Sequence, residues 1–400
     1  MRIVIVDLHC NGFLLRNFEY IIDRRRPVMK HAFFLKEALK EGYEIINYIT
    51  GTNSGLWIGK NSLLLNRMEA AYVLWKNGCR HKICNTTDKK EIRQDDIVIF
   101  YSHTDDKFDL DAVPGRKFCN VNHFFSMCSC GKRWLPDFLK EESFEGYICE
   151  ADVCNDSLLF RKYLPVKQKK MILMPYVAEK RFQKKRPFAQ RKNKALALGS
   201  CSIRLDLLVD VYGTDQLHPM RSEILARSRE NTGQIECMIE KIVHPQDLFR
   251  TMESDGRVIK FVKRFCNHFY RNANSPFQKN GKNAGYYNKD MVQLLNEYKM
   301  FIFPEEVTGI PALGFVEGMS CGCAYIGIES SMYAKIGMQS GIHYIGYNGT
   351  YDDLVKKIRY YQVHEKEAEK IAEKGYRFVK ENLASGKVFS RVMEQLQKTE

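Results

Sequence analysis

The amino-acid sequence predicts an α/β protein with two doubly wound, Rossmann-like domains. Short apolar runs, such as 2–7 and 96–101, alternate with stretches that carry apolar residues at helical spacing. This alternation predicts parallel sheets that are covered by helices on both faces. A chain of 400 residues is also long for a single hydrophobic core. Together the two observations predict two such domains.

The remaining elements of the first half continue the alternation. Helices are predicted over 30–41, where Gly42 supplies the stop signal, and over 61–75. Further strands are predicted over 43–49, 117–121, 145–149 and 170–174.

A basic segment with one proline, KKRPFAQRKNK at 184–194, interrupts the pattern and is predicted to be a linker. It separates a first domain over 1–183 from a second domain over 195–375, and a C-terminal helix is predicted over 376–400. The strands predicted for the second domain are 195–198, 258–261, 300–303, 324–328 and 343–345. Its helices are predicted over 289–298 and 350–361. Ligands of such folds bind beyond the carboxyl ends of the strands, so a cleft between the domains is the expected site.

Composition limits the class of protein. The formal net charge of +14 favours acidic partners, which include nucleic acid, anionic membranes and phosphate-bearing substrates. The odd number of 13 Cys and the absence of paired CxxC motifs disfavour a disulfide framework and a zinc site. No signal-peptide pattern and no apolar run of transmembrane length is visible, which predicts a cytoplasmic protein.

Common catalytic motifs are absent or out of context. No GxGxxG follows the first strand, and neither GxxxxGK[ST] nor HExxH occurs, which disfavours NAD-binding, P-loop and zincin chemistry. A GxSxG at 318–322 precedes a strand instead of following one, so Ser320 is interpreted as a small turn residue rather than a nucleophile. The Asp-rich segment 103–111 lacks the Gly and Glu of an EF-hand and is interpreted as an exposed loop.

The segment FPEEVTGIPALGFVEGMSCGCAYIG, at 303–327, contains a strand end, acidic residues, a Gly-containing turn, a helix with another Glu and a small-residue turn. In this order it resembles the nucleotide-sugar-binding segment of retaining, family-4-like (group 1) glycosyltransferases of the GT-B fold. Residues 174–182 resemble the family's crossover between domains, and 195–200 its first strand of the second domain with the glycine turn. The resemblance implies two domains that face each other across a cleft, with C-terminal helices that return to the first domain.

The resemblance also implies roles for two acids. Glu317 would accept hydrogen bonds from the ribose hydroxyls, and Glu306 would bind hydroxyls of the reacting sugar. The family spaces its two acids as E-x7-E, and counting back from Glu317 gives Gly309. We therefore align on the turn 309–311, which places Glu306 at the first acid. Glu305 is the nearest alternative and is otherwise expected to be solvated.

The leaving nucleoside diphosphate gains negative charge in the transition state and needs donors and cations around it. The turn formed by Gly309, Ile310, Pro311, Ala312 and Leu313 would offer free backbone N–H groups at the start of a helix. By resemblance, Ser200 follows the glycine turn of the second domain, and neutral His123 would hydrogen-bond the donor sugar. The family's diphosphate-binding cations are not at their usual places, and the candidates for that role are Arg204, Arg221, Lys260, Lys263 and Arg264.

The resemblance thus implies a glycosyltransferase that moves a sugar from a UDP- or GDP-sugar to a glycan, glycoprotein or lipid-linked acceptor. Retention and independence of metals and other cofactors are expected, because Lys and Arg would neutralise the diphosphate. A nucleotide-sugar epimerase or a phosphorylase on the same fold is the alternative. A basic nucleic-acid-binding module is disfavoured, since no RRM, KH or zinc-finger signature occurs. The basic charge leaves peripheral contact with an anionic membrane open.

Overall fold

The computed structural model describes residues 2–8, 31–50, 63–101, 112–122, 143–163, 170–201, 203–241 and 289–398, together with 256, 259, 262, 263 and 266. These residues form a seven-stranded and a five-stranded sheet, with helices between the strands. The predicted α/β class is therefore confirmed.

The first sheet has the strand order β3-β2-β1-β4-β5-β6-β7. The pairs among β1 to β5 are parallel, and Ile3 lies opposite both Ile45 and Ile97. These strands are runs of apolar residues because both faces of a covered parallel sheet are buried. Their bounds are β1 Arg2–Val6, β2 Glu44–Tyr48, β3 Ile83–Thr86, β4 Ile97–Tyr101, β5 Arg116–Asn120, β6 Phe144–Cys149 and β7 Lys170–Leu173.

The second sheet has the strand order β12-β11-β10-β8-β9, and its pairs are parallel. The first of its strands begins at Lys192, inside the segment predicted as a linker, and the last is found two residues later than predicted, from Ile345. Of the predicted strand 258–261 the structure describes only Ile259, which is helical, so the strand prediction is wrong at this residue, and the other three residues lie outside the described ones. The bounds are β8 Lys192–Ala197, β9 Ile235–Cys237, β10 Tyr298–Ile302, β11 Ala324–Ile328 and β12 Ile345–Tyr347.

The helices predicted over 30–41, 61–75, 289–298 and 350–361 are found to within about two residues, whereas the single helix predicted over 376–400 is wrong, because two helices meet near 383–384 there. Gly42, at φ +80°, ends the first of them as expected. Short 3-10 turns occupy Lys89–Glu91, Phe188–Gln190 and Asp206–Leu208. The α-helices of the described residues are α1 Ala32–Lys40, α2 Leu63–Lys76, α3 Val153–Asp156, α4 Leu158–Tyr163, α5 Val209–Tyr212, α6 Pro219–Ala226, α7 Met291–Glu297, α8 Gly314–Ser320, α9 Ser331–Lys335, α10 Tyr351–Val363, α11 Glu365–Asn382 and α12 Ser385–Gln397.

The chain divides into two compact units. Among the described elements, the first unit holds β1 to β5, α1, α2 and most of β6. The second unit holds the end of β6, β7, the five-stranded sheet and helices α3 to α12. Within this second unit α12 packs against β7, the edge strand of the seven-stranded sheet, and Lys170 Nζ donates to Lys398 O at 3.3 Å. The last helix therefore returns to the first sheet, as the resemblance implied.

The second sheet is buried on both faces. Met300 and Ile302 of β10 point into a core that they share with Leu354 of α10 and Ile371 of α11. The alternate residues of a strand point the other way, so Phe301 lies beneath α8 on the opposite face. Within the described ranges, no helix is both long and apolar enough to cross a membrane.

Candidate active site

Three loops leave the second sheet at neighbouring strand ends. β8 runs into Gly199 and Ser200, β10 into the segment 303–313, and β11 into the turn that starts α9. Because β10 is parallel to both β8 and β11, these three loops lie at the same edge of the sheet. Ligands of open α/β sheets bind at that edge.

The loop after β10 has the predicted order of turn, helix and strand. Gly309 adopts φ +80°, and its N–H donates to Glu306 O at 2.8 Å, which closes the turn. Ile310 and Pro311 are buried, while Ala312 and Leu313 are half-buried. α8 follows with seven residues and carries Glu317 in its first turn. The predicted phosphate-facing segment is therefore a tight turn directly before this helix.

Glu306 is half-buried near the crossover segment 174–182. Thr308 Oγ1, on a buried side chain, donates to Glu306 Oε2 at 3.3 Å. Burial, together with the negative charges of Glu150 and Glu306, holds the pKa of Tyr176 well above its usual value. The Tyr176 hydroxyl donates to Glu150 Oε1 at 2.5 Å. The structure thus brings a sugar-binding candidate close to a second acid that the sequence analysis missed.

Glu150 could have been found from its place in the sequence. It directly follows β6, so it lies at a carboxyl strand end, where ligands bind. It is only 3 % exposed, and its other oxygen, Oε2, accepts from Cys149 Sγ at 3.3 Å. Burial and the adjacent Glu150 charge raise the pKa of the Cys149 thiol well above its usual value, so this thiol stays protonated.

Glu317 faces the same crossover segment. Its side chain is half-buried, and burial is the main reason that the pKa of its carboxyl rises to about 8. The charge of Glu179 adds to this increase, while that of Arg181 opposes it. Glu306 and Glu317 therefore both lie near residues 176–181, although Glu306 precedes the turn 309–313 and Glu317 follows it.

Arg221 of α6 joins two of the three loops. Its Nε donates to Pro304 O at 2.8 Å and its Nη1 to Ser200 O at 3.2 Å, and the side chain is 5 % exposed. The guanidinium also lies 5.0 Å from the ring centre of Phe303. A methyl group at Gly199 would lie 2.9 Å from Arg221 Cδ, so the glycine is needed for this close approach. The structure places Ser200 and Arg221 together, at the start of the candidate loop.

Glu305 is buried, so the expectation that it is solvated was wrong. It is 6 % exposed, and its Oε1 accepts from the hydroxyls of Tyr325 at 2.8 Å and Tyr333 at 2.6 Å. The N–H of Ile328 donates to the same oxygen at 3.2 Å. Burial raises the pKa of Glu305, while these hydrogen bonds lower it. Glu305 follows the end of β10, and its side chain contacts the neighbouring strand β11. The sequence alone does not reveal this contact.

The roles of the remaining candidates stay predictions. His123, Lys260 and Arg264 lie outside the described residues. Lys263 is half-buried and belongs to the first unit. Arg204 is paired with Asp215 at 2.9 Å. Among the residues that the structure describes, no group of three or more His, Cys, Asp or Glu could hold a metal ion.

Gly309→Ala is expected to lower the free energy of unfolding by about 1–2 kcal/mol, because an L side chain is strained at φ +80°. The added methyl would lie 3.7 Å from Met332 Cε, which is ordinary contact, so strain and not a clash is the cause. Gly341→Ala, at φ +74° and with nothing within 4 Å, is the matched control. Both variants should lose similar stability in chemical denaturation, and only Gly309→Ala should weaken nucleotide binding. Equal binding by both would show that the turn does not contact the ligand.

Comparison with known proteins extends these observations. Residues 250–393 match the family model described as "Glycosyl transferase-like". The structure is similar to that of HepE from Anabaena in complex with UDP, with a TM-score of 0.55, 9% identity and 99% of each chain covered. Sucrose-phosphate synthase from Thermosynechococcus elongatus (TM-score 0.51, 11% identity, 99% and 98% covered) is similar as well. So is a glycosyltransferase from Rickettsia africae ESF-5 (TM-score 0.51, 11% identity, 100% of both chains). A search of curated proteins gives no match.

Proposed function

We propose that this chain, a glycosyltransferase of the GT-B fold by its family match and architecture, takes its sugar from a UDP-sugar and transfers it with retention. The observation that carries the proposal is the pair of acids on the loop after β10. Glu306 and Glu317 flank a tight turn at the carboxyl edge of a parallel sheet, and both lie near the crossover residues 176–181. That is the place where a doubly wound sheet binds nucleotides.

The choice of UDP over GDP rests on similar structures. HepE is described in complex with UDP, and in a second structure with UDP and glucose (TM-score 0.51, 11% identity). A uracil base is smaller than a guanine base, and Glu317, the proposed ribose partner, is half-buried, so space for the base is limited. We therefore expect UDP to bind more tightly than GDP.

The proposed roles follow from the contacts. Glu317 would bind the ribose hydroxyls, and with its pKa raised to about 8 its carboxyl can both donate and accept at neutral pH. Glu306 would bind hydroxyls of the transferred sugar, oriented by Thr308. The backbone N–H groups of Ile310, Ala312 and Leu313 would face the diphosphate as its negative charge grows, since the Gly309 N–H closes the turn and Pro311 has no N–H. We expect no divalent metal to take part.

Cations would neutralise the leaving diphosphate. Arg221 gives its Nε and one Nη1 hydrogen to backbone carbonyls, so its main part would be to hold the loops in place. The roles predicted from the sequence for Lys263 and Arg264 as diphosphate ligands, and for His123 as a sugar contact, stay predictions. With a net charge of +14, we propose an acceptor that carries negative charge, such as a lipid-linked glycan at an anionic membrane surface.

The proposal is tested by incubating the protein with UDP- or GDP-sugars and a lipid-linked glycan acceptor, with and without EDTA, and analysing the products by NMR, with a sample that lacks the acceptor as the control. We expect one UDP-sugar to be consumed with an unchanged anomeric configuration in the product and with no effect of EDTA. A product of inverted configuration would contradict retention, and loss of activity in EDTA that Mg²⁺ restores would contradict metal independence. An altered sugar nucleotide formed without acceptor would identify an epimerase instead.

A further inference from the structure

Glu305 is a buried acidic residue of the second unit. A carboxylate that is removed from water is costly unless hydrogen bonds replace its hydration. Here the Ile328 N–H and the hydroxyls of Tyr325 and Tyr333, from two other elements, meet on a single oxygen, Oε1, and the two hydroxyls also lie 2.7 Å from each other. Tyr325 and Ile328 belong to β11, and Tyr333 belongs to α9. These hydrogen bonds connect the loop after β10 to both β11 and α9 through one side chain.

The same loop is held one residue earlier from the opposite side. Pro304 O accepts from Arg221 Nε at 2.8 Å, and Arg221 also reaches Ser200 O after β8. Pro304 and Glu305 are therefore each fixed by a buried side-chain contact. Glu306 is the next residue, so its position is set by these two contacts.

α9 touches the loop a second time. Met332, which precedes Tyr333, lies close to Gly309. A methyl group added to Gly309 would be 3.7 Å from Met332 Cε. α9 itself is fixed at its other end, where Lys335 Nζ pairs with Asp152 Oδ2 at 2.8 Å and Asp156 Oδ2 at 3.0 Å. Both ends of the turn that carries Glu306 thus rest on one short, fixed helix.

We propose that Glu305 is a positioning residue, whose hydrogen bonds from Tyr325, Tyr333 and Ile328 orient Glu306 and the turn at Gly309 for sugar transfer. It does not touch the substrate; it acts through Glu306. This inference rests on the proposed function, because it assigns Glu305 a part in that reaction. The anchoring itself can be measured in the protein without any ligand.

Tyr333→Phe is the mildest test, because it removes one hydroxyl and keeps the ring. Tyr344→Phe is the matched control, since Tyr344 lies 5.1 Å from Tyr333 between ring centres and its hydroxyl donates to Ile328 O at 3.5 Å instead of to Glu305. Hydrogen exchange should show faster exchange of amides 306–313 in Tyr333→Phe than in wild type, and no change there in Tyr344→Phe.

With the UDP-sugar, Tyr333→Phe should reduce kcat about tenfold or more, because small displacements of a reacting contact are costly, while KM changes less than about threefold. Glu305→Gln keeps an accepting oxygen and should retain more activity than Glu305→Leu. Equal effects of Tyr333→Phe and Tyr344→Phe on exchange and kcat would overturn the proposal, because they would indicate general packing. If Tyr333→Phe exchanges its loop amides faster but the wild-type protein transfers no sugar, the anchoring is supported and the proposed function is refuted.

Discussion

Glu317→Ala is expected to reduce kcat/KM for the UDP-sugar by about a hundredfold or more. Two hydrogen bonds between the carboxyl group and the ribose would be lost, and each buried ribose hydroxyl that is left without a partner costs about 1–3 kcal/mol. Steady-state kinetics measures the loss. Glu369→Ala, which changes an exposed Glu of α11, is the control and should leave kcat/KM unchanged. Equal kcat/KM for Glu317→Ala and wild type would remove Glu317 from the site.

Glu317 also gives a pH signature without substrate. Its folded pKa of about 8 lies above the ordinary value of 4.5, so the folded state prefers the protonated carboxyl. The contribution of the protonated Glu317 carboxyl to the free energy of unfolding is fully present below pH 4.5 and is lost as the pH rises through about 8. Glu317→Gln cannot ionise, so we expect it to be more stable than wild type at pH 9, by on the order of 2 kcal/mol given the partial exposure of the side chain. Parallel stability curves for the two proteins from pH 5 to pH 9 would contradict the raised pKa.

Gly318→Ala is expected to destabilise the protein by about 1–3 kcal/mol, as overpacking of a tight interface does. A methyl at this position would lie 2.2 Å from Phe301 Cζ, and one at Gly314, a turn earlier, 2.2 Å from Phe303 Cδ2. Alanine would otherwise favour a helix by about 1 kcal/mol, so the clash must exceed that gain. The two glycines let α8 lie directly on β10, and the displaced helix would move Glu317. Chemical denaturation measures the effect.

The cause can be verified by making room for the methyl group. The double variant Gly318→Ala/Phe301→Leu should lose less stability than the sum of the two single variants, because the smaller side chain relieves the contact. Gly233→Ala, where nothing lies within 4 Å of the added methyl, should be close to neutral. Strict additivity of the two changes at the interface would indicate that Phe301 is not the obstacle.

The sequence predicts the elements of this fold well because their signals are local. β10, α8 and β11 follow from apolar runs, a Gly-containing turn and a helix stop that are all contiguous in the chain. The start of β8 at Lys192 was missed since its first three residues are Lys, Asn and Lys, which look like linker. They pair in the sheet nonetheless, and the adjacent Arg191 is buried with its Nη2 donating to Cys321 O at 2.7 Å. Tertiary contact outweighs composition at this point.

The candidate site was harder to predict because its contacts are distant in sequence. Glu305 and Glu306 are neighbours in the chain, and only the fold shows that Glu305 meets Tyr333. The approach of Glu306 to Tyr176 and Glu150 joins a loop of the second sheet to the crossover and to the end of β6. No periodicity or local motif predicts contacts between residues so far apart in the chain. The order of the segments could therefore be predicted, but not whether Glu305 or Glu306 is the buried acid.

Calorimetric titration of UDP and GDP into the wild-type protein and Glu317→Ala tests whether a uridine nucleotide binds at the carboxyl edge of β8, β10 and β11. We predict that UDP binds wild type more tightly than GDP, and that Glu317→Ala still unfolds cooperatively but binds UDP about tenfold or more weakly. Equal affinity of UDP for both proteins, or no binding of either nucleotide to wild type, would contradict this account.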